Sequence, residues 1–125
     1  MFSAKAMSVL IVEDDPSLRS LYRAMLQLEG FDVTAVEDGI DALRHIELEL
    51  PDAIVLDLGL PRLGGREVQR EITARMDMRG IPIVIVTGEP IDDLDRSQCA
   101  SILRKPLEPT ALITAVHDCV RKTAV

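Results

Sequence analysis

The stretch DAIVLDLGLP, residues 52–61, decides the fold class of this chain. Its first part, Ala53–Leu56, is a continuous apolar run with β-branched side chains, and a single carboxylate, Asp57, follows it directly. Such a run is typical of a strand buried on both faces of a parallel sheet. The runs VLIV at 9–12 and IVIV at 83–86 repeat the pattern. Together the three runs predict the centre of one parallel sheet.

Amphipathic segments separate these strands. In the first, apolar side chains recur at helical spacing, Asp15-Pro16 is a suitable start and Gly30 a suitable stop. Weaker strands are predicted at 31–35 and 102–103, and a short polar helix over 91–100. The β-α alternation occurs five times, and right-handed crossovers then give an open three-layer α/β sandwich. The residues predicted to form the inner faces of the other helices are Ile40, Leu43, Ile46, Val68, Ile72, Met76, Leu112, Ala115, Val116, Cys119 and Val120, and those at helical spacing in the first are Leu18, Leu21, Tyr22, Met25 and Leu28.

The composition excludes several classes of protein. The chain has 125 residues, enough for one domain, with 47% hydrophobic and 28% charged residues. Its formal net charge of −7 and its aromatic content of 2% disfavour direct nucleic-acid binding, which needs a basic surface. No apolar run approaches the roughly 20 residues that span a bilayer. Two cysteines make no disulfide framework, so we expect a cytoplasmic protein.

Function is expected at one edge of the sheet, because ligands of open α/β sheets bind beyond the carboxyl ends of the strands. Glu13 and Asp14 follow the first strand, Asp57 the third, Thr87 the fourth and Lys105 the fifth. Converging carboxylates would repel one another, and oxygen ligands favour Mg²⁺ as the relieving cation. A metal ion and an ammonium can hold a phosphoryl group, and a carboxylate can accept it as an aspartyl phosphate. Asp57 is the candidate nucleophile, Thr87 a hydrogen-bond donor, and Gly88 would leave room for the phosphoryl group.

The motifs VLIVEDD, DAIVLDLGLP, VIVTG and LRKP, in this order, resemble those of the receiver domains of two-component response regulators. The resemblance covers nearly the whole chain and implies a flavodoxin-like (βα)5 sheet of strand order 2-1-3-4-5. It implies that Asp57 accepts phosphate from a phosphohistidine of a sensor kinase or a histidine phosphotransfer protein. It also implies that Glu13, Asp14, Asp57 and the backbone carbonyl of Gly59 hold Mg²⁺.

The resemblance implies further roles around the phosphoacceptor. Thr87 and Lys105 would contact the phosphoryl group and shift on phosphorylation, while Gly59 and Glu89 would tune the lifetime of the phosphorylated state. The kinase would dock on the exposed side of the first helix. The side chains there are Ser17, Arg19, Ser20, Arg23 and Gln27.

Two features depart from the family pattern. Ile102 stands three residues before Lys105, where the family has a Tyr or Phe whose ring rotates inward on activation. The stretch from Thr87 to Lys105 is also shorter than the family's, which shortens the fourth helix. We therefore expect intact phosphoryl chemistry with an atypical output route.

Three other functions are weighed against this one. A haloacid-dehalogenase-type phosphatase would need a second aspartate two residues after its nucleophile, where this chain has Gly59. A flavin- or nucleotide-binding domain would need a phosphate-cradling loop, where this chain has Glu-Asp-Asp. A pseudo-receiver that only binds partners stays open because of Ile102 and the short helix. We expect a switch rather than an enzyme.

The expected organisation is a lead over residues 1–7 and a receiver domain over 8–122. A homodimer is left open, and no membrane association is expected. The sequence does not identify the downstream partner, and it does not distinguish a single-domain regulator from part of a longer chain.

Overall fold

The computed structural model describes residues 6–59, 65–76, 80–88 and 101–123. The predicted helix over 91–100, and with it the shortened fourth helix, lies outside the described residues. The strands and helices, numbered in chain order, are β1 (Ser8–Val12), α1 (Pro16–Leu28), β2 (Asp32–Val36), α2 (Gly39–Leu48), β3 (Ala53–Leu56), α3 (Gly65–Met76), β4 (Ile83–Thr87), β5 (Ser101–Arg104) and α4 (Pro109–Thr123).

The five strands form one parallel sheet in the order β2-β1-β3-β4-β5, which confirms the predicted topology. Val12 pairs with Val36 on one side and with Leu56 on the other. Thr87 pairs with Arg104 at the far edge. The strands therefore end nearly level, and the residues that follow them meet at one edge of the sheet.

Alternate residues of the strands pack into two separate cores. Val9, Ile11 and Val55 belong to the core that lies under α1 and α4. Leu10, Ile54 and Leu56 belong to the core under α2 and α3. Because a strand turns successive side chains to opposite faces, both faces of the central strands must be apolar. The continuous apolar runs in the sequence are the consequence of this three-layer packing.

The helix starts follow the predicted signals. The Asp15 carboxylate accepts hydrogen bonds from the amides of Ser17 (2.8 Å) and Leu18 (3.2 Å), and Pro16 opens α1. Asp38 caps α2 through the amide of Asp41 at 2.9 Å. Gly30, with φ of +94°, follows α1 in the left-handed region that favours glycine.

The predicted inner face of α1 needs a correction. Leu21 is 46% exposed and Leu28 is 86% exposed, whereas Leu26 is fully buried beside Tyr22. The buried stripe runs through Tyr22 and Leu26, four residues apart. Leu21 and Leu28 lie beside this stripe. Residues three or four apart share a face of a helix, and the same spacing also describes the neighbouring face, so spacing alone does not identify the buried one.

Within the described ranges, no helix combines the length and the apolar character needed to cross a membrane. In α4, Leu112, Val116, Cys119 and Val120 are buried as predicted.

Candidate functional site

Backbone hydrogen bonds carry the sheet one residue beyond the strand ends and so position the site residues. The amide of Asp57 donates to the Val12 carbonyl at 3.0 Å, and the amide of Glu13 donates to the Val36 carbonyl at 3.1 Å. At the other side, the Lys105 amide donates to the Thr87 carbonyl at 3.0 Å. The backbones of Glu13, Asp57 and Lys105 are therefore held at the same edge of the sheet.

Three carboxylates converge at this edge. One oxygen from each of Glu13, Asp14 and Asp57 lies within 4.8 Å of the others. Glu13 and Asp57 are buried, 1% and 6% exposed, whereas Asp14 is exposed. Two buried carboxylates this close must be compensated, because the low dielectric of the interior strengthens their repulsion.

Lys105 supplies that compensation. Its ammonium lies 2.7 Å from Glu13 Oε1 and donates to Asp57 Oδ2 at 3.0 Å. Burial by itself lowers the pKa of Lys105, but the two carboxylates outweigh burial and leave the pKa above its ordinary value. The lysine therefore stays charged and bridges the acids that follow β1 and β3.

The pKa of the Glu13 carboxyl is strongly raised. Burial raises its pKa from 4.5 to about 7, and the nearby Asp57 charge adds to the increase. The Lys105 ammonium and the Asp15 amide, which donates to Glu13 Oε2 at 3.2 Å, act in the opposite direction without cancelling it. Desolvation is thus the dominant effect.

The residues at this edge fit a divalent cation. Glu13 Oε1 is buried, and within the described part of the chain its close polar neighbour is the Lys105 ammonium at 2.7 Å. A second buried carboxylate and an exposed one complete a cluster of hard oxygen donors. Mg²⁺ prefers such a donor set and keeps several waters, which the exposed side of Asp14 allows.

The remaining predicted site residues lie around this cluster. The Gly59 amide donates to Asp57 Oδ1 at 3.0 Å, so the two oxygens of Asp57 have different partners. Thr87 is fully buried at the end of β4. A Cβ built on Gly88 would lie 4.0 Å from Lys105 Cβ, an ordinary contact, so the resting packing does not require glycine there. The room that Gly88 would leave for a phosphoryl group stays a prediction.

Two predicted functional positions lie further out. Ile102 is half-buried on β5 and packs against the core under α2 and α3. Glu89 falls outside the described residues. The structure therefore brings Glu13, Asp14, Asp57 and Lys105 together and leaves the predicted roles of Ile102 and Glu89 as predictions.

Sequence reasoning missed one contact of the site. Arg19, predicted only as part of a docking surface, donates through Nη1 to the carbonyls of Glu13 at 3.0 Å and Asp14 at 3.3 Å. The signal was its place in the first turn after the Asp15 cap, from which a long side chain reaches back over the loop.

A cavity of about 310 Å³ adjoins the site beside Lys105. It lies between α1 and the segment that joins β5 to α4, and its wall is mostly apolar. The α1 side is formed by Leu18, Leu21, Tyr22 and Met25, and the other side by Lys105, Pro106, Leu107 and Pro109.

The fold and this edge define a doubly wound, flavodoxin-like α/β domain with an acidic pocket at the carboxyl ends of its strands. The model of the response regulator receiver domain family matches residues 9–117. The chain belongs to this family.

Individual relatives agree with the family match. The chain is 34% identical over 119 residues to the DNA-binding response regulator MtrA of Mycolicibacterium smegmatis, covering 91% of this chain and 50% of that protein. It is 34% identical to the receiver domain of a sensor histidine kinase of Pseudomonas aeruginosa, with a TM-score of 0.79 and coverage of 93% and 98%. That crystal structure is described as having a magnesium ion coordinated in the active-site cleft. A receiver domain of a histidine kinase from Syntrophus aciditrophicus is 26% identical, with a TM-score of 0.82 and coverage of 94% and 92%.

The chain spans about half the length of the curated relatives it matches. The DNA-binding description therefore belongs to a protein twice as long as the matched region. Receiver domains occur among these relatives both in response regulators and in sensor kinases.

Proposed function

We propose that this chain is a phosphoacceptor switch in which Asp57 takes a phosphoryl group from a phosphohistidine. The observation that carries the proposal is the Lys105 ammonium, which contacts both Glu13 and Asp57 at the end of the central strands. A cation held between a buried nucleophile and a buried acid is already placed to neutralise the oxygens of an arriving phosphoryl group.

In the proposed phosphoryl transfer, one bond to phosphorus forms as another breaks. An Asp57 carboxylate oxygen forms a bond to phosphorus while the phosphorus–nitrogen bond breaks, and the histidine nitrogen keeps the electron pair. The Gly59 amide fixes one Asp57 oxygen and Lys105 contacts the other, which orients the carboxylate. Thr87 would donate its hydroxyl to a phosphoryl oxygen. Mg²⁺, when bound by Glu13, Asp14, Asp57 and the Gly59 carbonyl, would neutralise charge on the phosphoryl oxygens.

Hydrolysis of the phosphorylated Asp57 would reset the domain, with Gly59 and Glu89 tuning the rate. We propose a switch rather than an enzyme, since the chain itself is the substrate. Position 59 offers no acid to speed turnover. The proposed partner is a sensor histidine kinase or a histidine phosphotransfer protein in the cytoplasm. It would dock over α1, and the apolar cavity beside Lys105 would then lie next to the docked partner and to Asp57.

Intact-mass spectrometry after incubation with phosphoramidate and Mg²⁺ tests the proposal. One phosphoryl group should be added to the parent chain and none to Asp57→Asn. Asp52→Asn is the matched control, because Asp52 lies at the opposite end of the same strand and an asparagine oxygen can still accept from the Ser8 amide.

Two outcomes would contradict this function. Labelling of Asp57→Asn would place the phosphoacceptor elsewhere. A parent chain that binds Mg²⁺ but takes up no phosphoryl group would favour the pseudo-receiver, a binding module without phosphorylation.

A further inference from the structure

Arg19 is bound to the backbone of the acidic loop rather than to a carboxylate. It is the fourth residue of α1 and half-buried, and its side chain turns back toward the end of β1. One guanidinium nitrogen donates to two successive carbonyl oxygens, those of Glu13 at 3.0 Å and Asp14 at 3.3 Å. Nη1 carries two N–H groups in the plane of the cation, so it can donate one to each carbonyl.

The two carbonyls belong to the residues whose carboxylates form the acidic cluster. Only Glu13, Asp14 and Asp15 join β1 to α1, so each peptide plane in this loop sets the direction of the side chain beside it. The loop is held on one side by the Glu13 amide, which donates to Val36, and within itself by the Asp15 amide, which donates to Glu13 Oε2. Arg19 binds the carbonyl oxygens of Glu13 and Asp14 in the same loop.

We propose that Arg19 is a positioning residue for the metal-binding carboxylates: by fixing the Glu13 and Asp14 peptide groups, it aims both side chains at Asp57. This role rests on the proposed function in so far as that function needs Mg²⁺ at the cluster. It differs from a docking role, since its target is the loop of the same chain and not a partner protein.

Electrostatics and positioning predict opposite results when Arg19 is replaced. Removing a positive charge beside three carboxylates strengthens their attraction for a divalent cation. Removing the hydrogen bonds that orient metal ligands weakens metal binding, commonly by about tenfold or more. The sign of the change in Mg²⁺ affinity therefore decides between the two effects.

The experiment compares the parent chain with Arg19→Ala and Arg44→Ala by calorimetric titration with Mg²⁺. Arg44 is the matched control, because it also lies on a helix, is 74% exposed and forms a 3.8 Å ion pair with Asp41, which is not part of this site. We expect the dissociation constant of Arg19→Ala to rise about tenfold. That of Arg44→Ala should stay within about twofold of the parent, since exposed ion pairs contribute little.

Two further readouts separate positioning from general damage to the fold. In the metal-free protein, the amide signal of Asp15 should move in Arg19→Ala and stay in place in Arg44→Ala, because that amide donates to Glu13. With phosphoramidate as donor, the Mg²⁺ concentration for half-maximal labelling should rise while the rate at saturating Mg²⁺ stays near the parent rate. A small donor has no docking surface, so partner binding cannot contribute.

Arg19→Lys is a second variant that keeps the test possible if Arg19→Ala does not fold. It keeps a cationic donor but loses the fixed in-plane N–H groups of Nη1, so its dissociation constant should fall between those of the parent and the alanine variant. Unchanged or tighter Mg²⁺ binding in both variants would overturn the role of Arg19, and so would a lower labelling plateau at unchanged half-saturation. A parent chain that neither binds Mg²⁺ nor becomes labelled would overturn the proposed function itself.

Discussion

The two sides of the functional edge differ in how tightly they are built. On the β1–β3 side, Glu13 and Asp57 are buried and each is held by backbone amides as well as by Lys105. On the β4–β5 side, β4 is buried along its whole length but β5 is only half-buried and forms the edge of the sheet. The predicted phosphoacceptor, Asp57, thus follows a buried central strand, whereas Ile102, the predicted output position, lies on the half-buried edge strand.

This difference gives a physical reason for the departure from the family pattern that the sequence predicts at Ile102. The central strands tolerate few substitutions. Truncating a fully buried side chain lowers the free energy of unfolding by several kcal/mol, and replacing an acid of the site should impair phosphoryl transfer. On the edge strand, Ile102 contacts the core under α2 and α3 without being enclosed by it. We therefore expect an isoleucine to be tolerated at this position, and the path from phosphorylation to output to differ from the family's.

The largest expected effect tests the packing contrast directly. Ile85 on β4 pairs with Ile102 on β5, and Ile85 is fully buried. Ile85→Ala should lower the free energy of unfolding by about 2–5 kcal/mol, the usual cost of such a cavity. Ile102→Ala should lower the free energy of unfolding by about 1 kcal/mol, because part of the Ile102 side chain is already exposed to water. Urea unfolding measures both, with Ile85→Val, at about 1 kcal/mol, as the milder variant.

Equal losses at Ile85 and Ile102 would remove the contrast between the two strands. A larger loss at Ile102 would mean that β5 is packed as tightly as β4, and the predicted departure from the family pattern would then need another explanation.

Replacing the lysine that bridges the acids should give the next largest effect. Lys105→Met leaves Glu13 and Asp57 buried without their cation, which should lower the free energy of unfolding by roughly 2–4 kcal/mol in the absence of Mg²⁺. Saturating Mg²⁺ should recover much of the loss, since binding to the folded state stabilises it. Phosphorylation of Asp57 should remain measurable, with a weaker conformational response.

Arg121→Met is the control for Lys105→Met, since Arg121 forms an exposed ion pair with Asp118 at the far end of α4. Urea unfolding of this variant should differ little from the parent with or without Mg²⁺. A Lys105 variant that behaves like Arg121→Met would show that the ammonium does not compensate the buried acids.

The sequence was sufficient for the features that repeat along the chain. The apolar runs around Ile54 and Val84 must be continuous because both faces of these strands are covered, so they could be located without a structure. Asp15 and Asp38 stand where a helix needs an acceptor for its first amides. Parallel strands end at one edge, so the residues after each run could be assigned to a common site.

The sequence was not sufficient where two distant side chains decide the geometry. The contact between Glu13 and Lys105 joins the first and the fifth strand, and the raised pKa of Glu13 depends on burial that only the packed fold creates. The contact of Arg19 with the loop depends on its side-chain conformation. In α1, periodicity could not choose between Leu26 and Leu28, because both fit helical spacing to a neighbour.

Metal binding should depend on pH through Glu13, whose pKa in the folded chain is about 7. Mg²⁺ competes with the Glu13 proton, so its apparent affinity should rise about tenfold between pH 6 and pH 8. Calorimetric titration at several pH values measures this, and Glu13→Gln should flatten the profile. A parent profile as flat as that of the variant would exclude Glu13 from the metal site.

Without metal, the same group should make stability fall as pH rises. The pKa of Glu13 in the folded state lies above its ordinary value of 4.5, so the folded chain holds the proton more tightly between these values. The free energy of unfolding contributed by Glu13 is fully present below pH 4.5 and is lost as the pH rises through about 7. Urea unfolding of the parent and Glu13→Gln over this range isolates the contribution.

The smallest expected effect concerns the readout on β5. Beryllofluoride with Mg²⁺ mimics the phosphoryl group on Asp57, and amide signals should then shift more at Thr87 and Gly88 than along Ser101–Arg104. The reason is that Ile102 has no ring to rotate and no hydroxyl to rearrange, so this position lacks the aromatic switch that would follow the threonine. Ile102→Tyr should enlarge the response of β5 while changing the free energy of unfolding by about 1 kcal/mol or less. If the β5 amides of the parent move as far as those of Thr87 and Gly88, the signal passes through the edge strand without an aromatic switch, and the two sides of the edge do not differ in their response.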